Sequence, residues 1–404
     1  MAAKASKPDY ATICSSASGV MVQKAFNNLG PINKFEDLLC PGAGANPASE
    51  LAAEQIFHMI EGWRYASAAT NAFLNHSKHT ALHFAYYAEL RAALSLLSSS
   101  GIRVRQSAHY YLDTFGNKKA FGPERTHSAV WGLWQNWVKR ADATKLFKDQ
   151  IRLTSSVSLS NVLTSLQYVD PSKTLQNWGM DLAQIQADHT ARNTSSYEAF
   201  WINSPLSKMS QDDLDLVLML WKLLLPQDSG LLFDSSLISY FVSQALPAMT
   251  LTMGKTTAAC LEEIVRVIVT NTGADAELIL RRLDTTQYTT KPFELASSAD
   301  TKTENVLCRA FFLLRLSMLA TKTNLSMTQN TASVDWLSNW FEHAGLWSQS
   351  SGIDAYDTSE DYEIALDHFK ASPIVLSELW GEQNLMNTVR LARPEACLVW
   401  NVIQ

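Results

Sequence analysis

Two helical stretches joined by a short polar break set the terms on which this chain folds. SELAAEQIFHMIEGWRYASAATNAFL, residues 49–74, places Ile56, Ile60 and Trp63 at i, i+4 and i+7, so they share one face of a helix for which Ser49 is the expected N-cap. NHSKHT interrupts that rhythm. TALHFAYYAELRAALSLLSSSG resumes it until Gly101, a residue free to adopt the left-handed conformation that ends helices. The pair reads as an antiparallel helical hairpin.

The text that follows is the one place where strand competes with helix. HYYLDTFGNKKAFG alternates apolar and polar residues around a Gly-Asn turn and predicts a small β-hairpin near 109–122. THSAVWGLWQNWVKR then returns to helix, with Thr126 as the expected cap and Val130, Leu133, Trp134 and Trp137 as the buried stripe. Beyond residue 150 the pattern is almost continuously helical. Capping boxes are expected at Ser210/Asp213 and Thr301/Glu304, and linkers at 170–173, 203–207, 225–230 and 285–303. HFAYYAELRAALSLLSS and ENVLCRAFFLLRLSMLA share a rhythm that two core helices of ordinary composition explain as well as a duplication does.

The expected fold is therefore all-α: a multi-helix bundle of helical hairpins with one small β-hairpin. Four segments are expected: 1–50 wrapping the body, 51–150 a helical domain carrying the hairpin, 151–290 a helical middle domain, and 300–404 a C-terminal helical domain. A chain of 404 residues, 47% hydrophobic with twelve tryptophans, has material for a large core. The odd, scattered cysteines (Cys14, Cys40, Cys260, Cys308, Cys397) form neither a zinc ribbon nor a disulfide framework and point to a reducing, cytoplasmic setting. The greasiest stretch, LDLVLMLWKLLLP, carries Asp215 and Lys222 and is too short to span a bilayer, so no membrane association is expected.

Chemistry is concentrated early. Six of the nine histidines (His58, His76, His79, His83, His109 and His127) fall between residues 58 and 127. His76, His79 and His83 have helical spacing, but the first two sit in the expected turn with no carboxylate beside them, so no metal and no other cofactor is expected. His83, Tyr87 and Arg91 recur every four residues as a polar stripe, expected to meet Glu54, His58 or Glu61 of the preceding helix. MGKTT at 253–257 lacks the first glycine and the preceding strand of a P-loop, and the acidic run 351–368 lacks the register of an EF-hand.

Arg103 and His109, with five residues between them directly after the helical hairpin, resemble the R-x4-6-H signature of HEPN-like helical domains of bacterial defence and toxin proteins. The resemblance covers residues 50–140 at most. It implies a defence-type effector with a metal-independent RNA-cleaving site, commonly assembled across a dimer. Arg103 would steady the phosphate and His109 would move protons as the 2′-hydroxyl attacks and leaves a cyclic phosphate. His83 and Arg91 are secondary candidates, and Arg105 is the alternative arginine. The family motif begins a helix, whereas the text after His109 reads as extended. The locally basic region 101–152, with Tyr110, Tyr111 and Phe115 for stacking, is the expected RNA surface. The alternative expectation is a non-catalytic helical subunit that binds a protein partner or a second copy of itself.

Overall fold

The computed structural model describes residues 8–29, 46–106, 108–122, 124–166, 187–193, 209–228, 230–284, 288–328, 331–371 and 375–403. In chain order the helices are α1 (Tyr10–Ser16), α2 (Gly19–Phe26), α3 (Pro47–Leu74), α4 (Lys78–Ser99), α5 (Thr126–Trp137), α6 (Ala141–Gln150) and α7 (Leu159–Ser165). After a helical stretch at 187–193 come α8 (Gln211–Leu224), α9 (Leu232–Met253), α10 (Thr257–Thr272), α11 (Ala276–Leu283), α12 (Lys291–Ser297), α13 (Thr303–Ser326), α14 (Ala332–His343), α15 (Asp357–Ala371), α16 (Leu385–Leu391) and α17 (Cys397–Val402). Strands are short: β1 (Ile102–Arg103), β2 (His109–Leu112) and β3 (Lys118–Phe121) form one antiparallel sheet, and β4 (Arg152–Thr154) pairs with β5 (Val157–Ser158) and β6 (Pro226–Gln227) with β7 (Gly230–Leu231). The fold is all-α with a small β-hairpin, as the periodicity requires; β1 joins that hairpin as a third strand.

The organising unit is a three-helix core. α3 and α4 pack as the expected hairpin, and α13 lies against both. The two look-alike segments, 83–99 and 304–320, are thus neighbours. Gly62 marks the crossing: a β-carbon there would sit 2.6 Å from Leu314 Cδ2 and 3.3 Å from Arg91 Cβ, so only hydrogen lets the three backbones approach this closely. Buried Gln55 stitches the same helices, giving Nε2 to Thr321 Oγ1 (3.3 Å) and accepting from Asn324 Nδ2 (2.9 Å) and Ser95 Oγ (2.8 Å). Buried apolar side chains from all four expected segments join one contiguous cluster.

Two arginines of α13 enter this core, each against a buried aspartate. Arg309 of α13 grips Asp188 through both carboxylate oxygens (2.7 and 2.6 Å), with Glu89 of α4 at 3.7 Å. Arg315, two turns on, grips Asp234 of α9 (3.0 and 2.6 Å) and gives Nη1 to Asn401 Oδ1 (2.8 Å). Tryptophans satisfy the carbonyls that helix ends leave open: Trp380 Nε1 donates to Leu74 O, Trp400 to Leu224 O and Trp221 to Leu391 O.

Tertiary contacts override several local expectations. Asn46, not Ser49, caps α3, with Pro47 in the first turn. Residue 125 precedes α5 without a side-chain cap, so Thr126 is inside the helix. The Ser210/Asp213 box forms, but α13 starts at Thr303 without a box, because Glu304 is drawn to the ammonium of Lys78 (2.6 Å), which also holds Asp213 (2.8 Å). The expected linkers at 225–230 and 285–303 contain the β6–β7 pair and α12; those at 170–173 and 203–207 lie outside the described residues. The described part of segment 1–50 does ride on the body: Ser18 N donates to Leu112 O (2.9 Å), and a β-carbon on Gly101 would strike Ser18 O at 2.4 Å.

Candidate functional site: a cleft between the helical hairpin and helix α14

Arg103 and His109 do not converge. Register pairs Arg103 with Tyr110, so these two share a face of the sheet, while His109, next along β2, points to the other. Arg103 is 6% exposed, and its guanidinium binds Glu54 through Nε and Nη2 (2.9 and 2.6 Å) and Glu50 through Nη1 (2.9 Å). The Tyr110 hydroxyl completes the group by donating to Glu50 (2.9 Å). His109, 2% exposed, gives Nε2–H to Glu124 O (2.7 Å), packs on Phe121, and keeps Nδ1 buried without a partner. Neither side chain opens onto solvent.

The basic residues of 101–152 also disperse. Lys118 lies over the Tyr110 ring, Lys119 faces Asp113, and Arg140 is spent on Asp142 and on the carbonyls of Cys14 and Ala17. Tyr110 is buried and Tyr111 half-buried; Phe115 alone of the three expected stacking rings is exposed.

The polar stripe of α4, by contrast, does meet α3, and there a cleft of about 750 Å³ opens. His58, Glu61 and Arg64 of α3, Tyr87 and Arg91 of α4, Arg105 after β1, His127 of α5, and Trp336 and Trp340 of α14 line it. Arg91 donates Nη1 to His58 Nδ1 (3.2 Å), pairs with Glu61 (3.1 Å) and lies over the Tyr65 ring, which stacks on Tyr87. His83 packs against Tyr87 at the head of the stripe, with ring centroids 5.0 Å apart. Arg192 covers the faces of Tyr86 and Tyr87 and donates to the Tyr87 hydroxyl (3.1 Å).

Hydrogen bonding defines both imidazoles of the cleft. A guanidinium can only donate, so His58 Nδ1 accepts and its proton resides on Nε2. At His127 a relay does the same: Trp131 Nε1 donates to Tyr86 Oη (3.2 Å), whose one proton goes to His127 Nδ1 (2.9 Å). Burial, then the charges of Arg91, Arg103 and Arg105, holds His58 down at about 3; burial, then His189, Arg192 and Arg91, holds His127 at about 4. At neutral pH the His58–Glu61 approach of 4.0 Å is therefore not an ion pair. Each ring presents an Nε2–H that can give a hydrogen bond and has no lone pair left to take a proton.

His76 lies in the turn with a positive φ of 62° and His79 in the first turn of α4; among the described residues no group of three or more His, Cys, Asp or Glu side chains is placed to hold a metal ion. Among them, too, no helix is long and apolar enough to cross a membrane. Of the cleft residues, the sequence reading missed Arg64, Trp336 and Trp340. The two tryptophans carried a signal, an i, i+4 spacing in SVDWLSNWFEH, but the core of any helical protein has such pairs. Comparison with family models, curated proteins and solved structures finds no match to this chain.

Proposed function

We propose that the chain is a non-catalytic RNA-binding helical protein and that the cleft between α3, α4 and α14 receives a single-stranded segment. The observation that carries this reading is the pair of imidazoles, His58 and His127, both set as Nε2–H donors beside Arg91 in one open cleft. Neutral N–H donors and guanidinium groups suit phosphate oxygens and 2′-hydroxyls. The half-buried indoles Trp336 and Trp340 supply faces on which bases stack, a contribution of about 1–3 kcal/mol per base. Cleavage would require a lone pair to accept the 2′-hydroxyl proton, and neither ring has one to offer in this arrangement.

The test is fluorescence anisotropy with a labelled single-stranded RNA, run beside a gel assay for cleavage. Arg91→Gln and Trp340→Ala are each expected to weaken binding by about tenfold or more, the weight of one charge-assisted hydrogen bond or one stacked base. Intact wild-type protein that binds no RNA, or variants that bind equally well, would overturn the reading. Cleavage that depends on His127 or His109 would replace it with the nuclease activity that the HEPN-like resemblance implies.

A protein-partner role is favoured by a separate observation. Ile364 of α15 and Leu385, Met386 and Val389 of the adjoining α16 are exposed apolar side chains on packed neighbouring helices. Sedimentation velocity of wild type against Met386→Lys tests self-association: a wild-type dimer that the charge dissociates supports it, and a monomer in both opposes it.

A further inference from the structure

A second, smaller pocket of about 300 Å³ lies away from the cleft, where the C-terminal half of α13 meets the β4–β5 and β6–β7 turns and α17. Its lining includes Lys322, Arg152, Asn401, Thr323 and Ser155, with the Arg315–Asp234 pair as its floor. Charge here does not balance. Arg315 is neutralised by Asp234, and Asp228 at the rim by Arg282 (2.9 Å). Lys322 has neither a hydrogen bond nor an ion pair among the described residues, although it is half-buried. Arg152 gives Nε to Asp149 O (3.2 Å) and Nη1 to Ser155 O (2.7 Å), contacts that hold the guanidinium in place, and among the described residues no carboxylate pairs with it. Asn401, 2% exposed, turns Oδ1 to Arg315 (2.8 Å), which leaves its amide N–H groups for the pocket.

We infer that this pocket binds a small dianion of the phosphate-monoester class, with Lys322 and Arg152 as its two counter-charges and Asn401 as a neutral donor. Two unpaired cations match a group that carries about −1.5 to −2 charges near pH 7 and offers three acceptor oxygens. A half-buried ammonium without a partner is costly to keep, and an anion removes that cost. Burial, followed by the charge of Arg315, pushes the Lys322 amine below the usual lysine range, in keeping with a site that lacks its counter-ion. Gly230 serves the floor, because a β-carbon there would lie 2.8 Å from Asp234 Oδ2.

The probe is inorganic phosphate, titrated at constant ionic strength against chloride, read by calorimetry and by the thermal unfolding midpoint. Wild type is expected to bind saturably. Lys322→Met, which keeps the length of the side chain, and Arg152→Gln, at the exposed rim, are each expected to weaken binding by about tenfold or more. Arg91→Gln in the RNA cleft is expected to leave it unchanged, which separates this site from the proposed function. As a readout independent of variants, phosphate is expected to protect Lys322 from acetylation by an activated ester, followed by peptide mass spectrometry. No saturable binding, full binding retained in Lys322→Met, loss in Arg91→Gln, or unprotected acetylation would each overturn the assignment.

Discussion

At the scale of single residues, Arg103 and His109 work in the fold. Arg103 is the cation shared by two buried carboxylates, so Arg103→Met leaves Glu50 and Glu54 uncompensated. The expected loss is about 3–5 kcal/mol, measured by urea unfolding. His109→Phe keeps the packing on Phe121 and removes the donor to Glu124 O, for an expected loss of about 1–3 kcal/mol. RNA affinity of the folded variant is expected to equal that of wild type. A general acid/base would behave differently, costing about 10²- to 10⁴-fold in rate with little effect on unfolding.

At the scale of elements, the α3–α4–α13 contact depends on one hydrogen atom and one proton. Gly62→Ala pushes a methyl group against Leu314, which is wholly buried; overpacking of this kind is expected to cost about 1–3 kcal/mol. The proton belongs to Glu89. Burial, then the neighbouring charge of Asp188, holds Glu89 well above the usual carboxylate range, since one guanidinium, Arg309, serves both acids. Its folded-state value is raised, so wild type loses stability as pH climbs through the range where the unfolded carboxyl has already ionised. Glu89→Gln, isosteric and permanently neutral, is expected to remove that slope and to unfold at equal or higher urea at pH 8. Asp188→Asn, which strips Arg309 of its bidentate partner, is expected to lose about 3–5 kcal/mol.

At the scale of the whole molecule, the cleft makes the protein acid-sensitive. The folded-state values of His58 and His127, about 3 and about 4, lie below the ordinary 6.5, and His83 and His189 are lowered as well. Below pH 6.5 the unfolded chain therefore binds protons that the folded one refuses. The stability these rings contribute is complete above pH 6.5 and is lost as pH falls toward 4. Glu395, raised by burial to about 6, works in the opposite direction between pH 4.5 and 6, as do the raised carboxyls of Glu89 and Asp188, so the share of the rings is read from the difference between wild type and a histidine variant. Urea midpoints measured from pH 7.5 to 4.5 are expected to fall, and His58→Gln, whose amide oxygen still accepts from Arg91, is expected to flatten the slope. A profile indifferent to that substitution would show that the cleft does not govern acid sensitivity.

The sequence by itself determined the helices, the hairpin at 109–122, the Ser210/Asp213 box and the alignment of His83, Tyr87 and Arg91 toward His58. Each of these follows from spacing within one or two elements, which periodicity encodes directly. Which cations would be free was not encoded locally. Arg103 looked available until Glu50 and Glu54, a helix away, closed on it, while Arg152 and Lys322 have no carboxylate partner among the described residues. Even the cap of α13 was reassigned when Lys78, more than two hundred residues earlier, took Glu304. A charge is neutralised by whatever the fold brings within about 4 Å, and only the tertiary structure decides what that is.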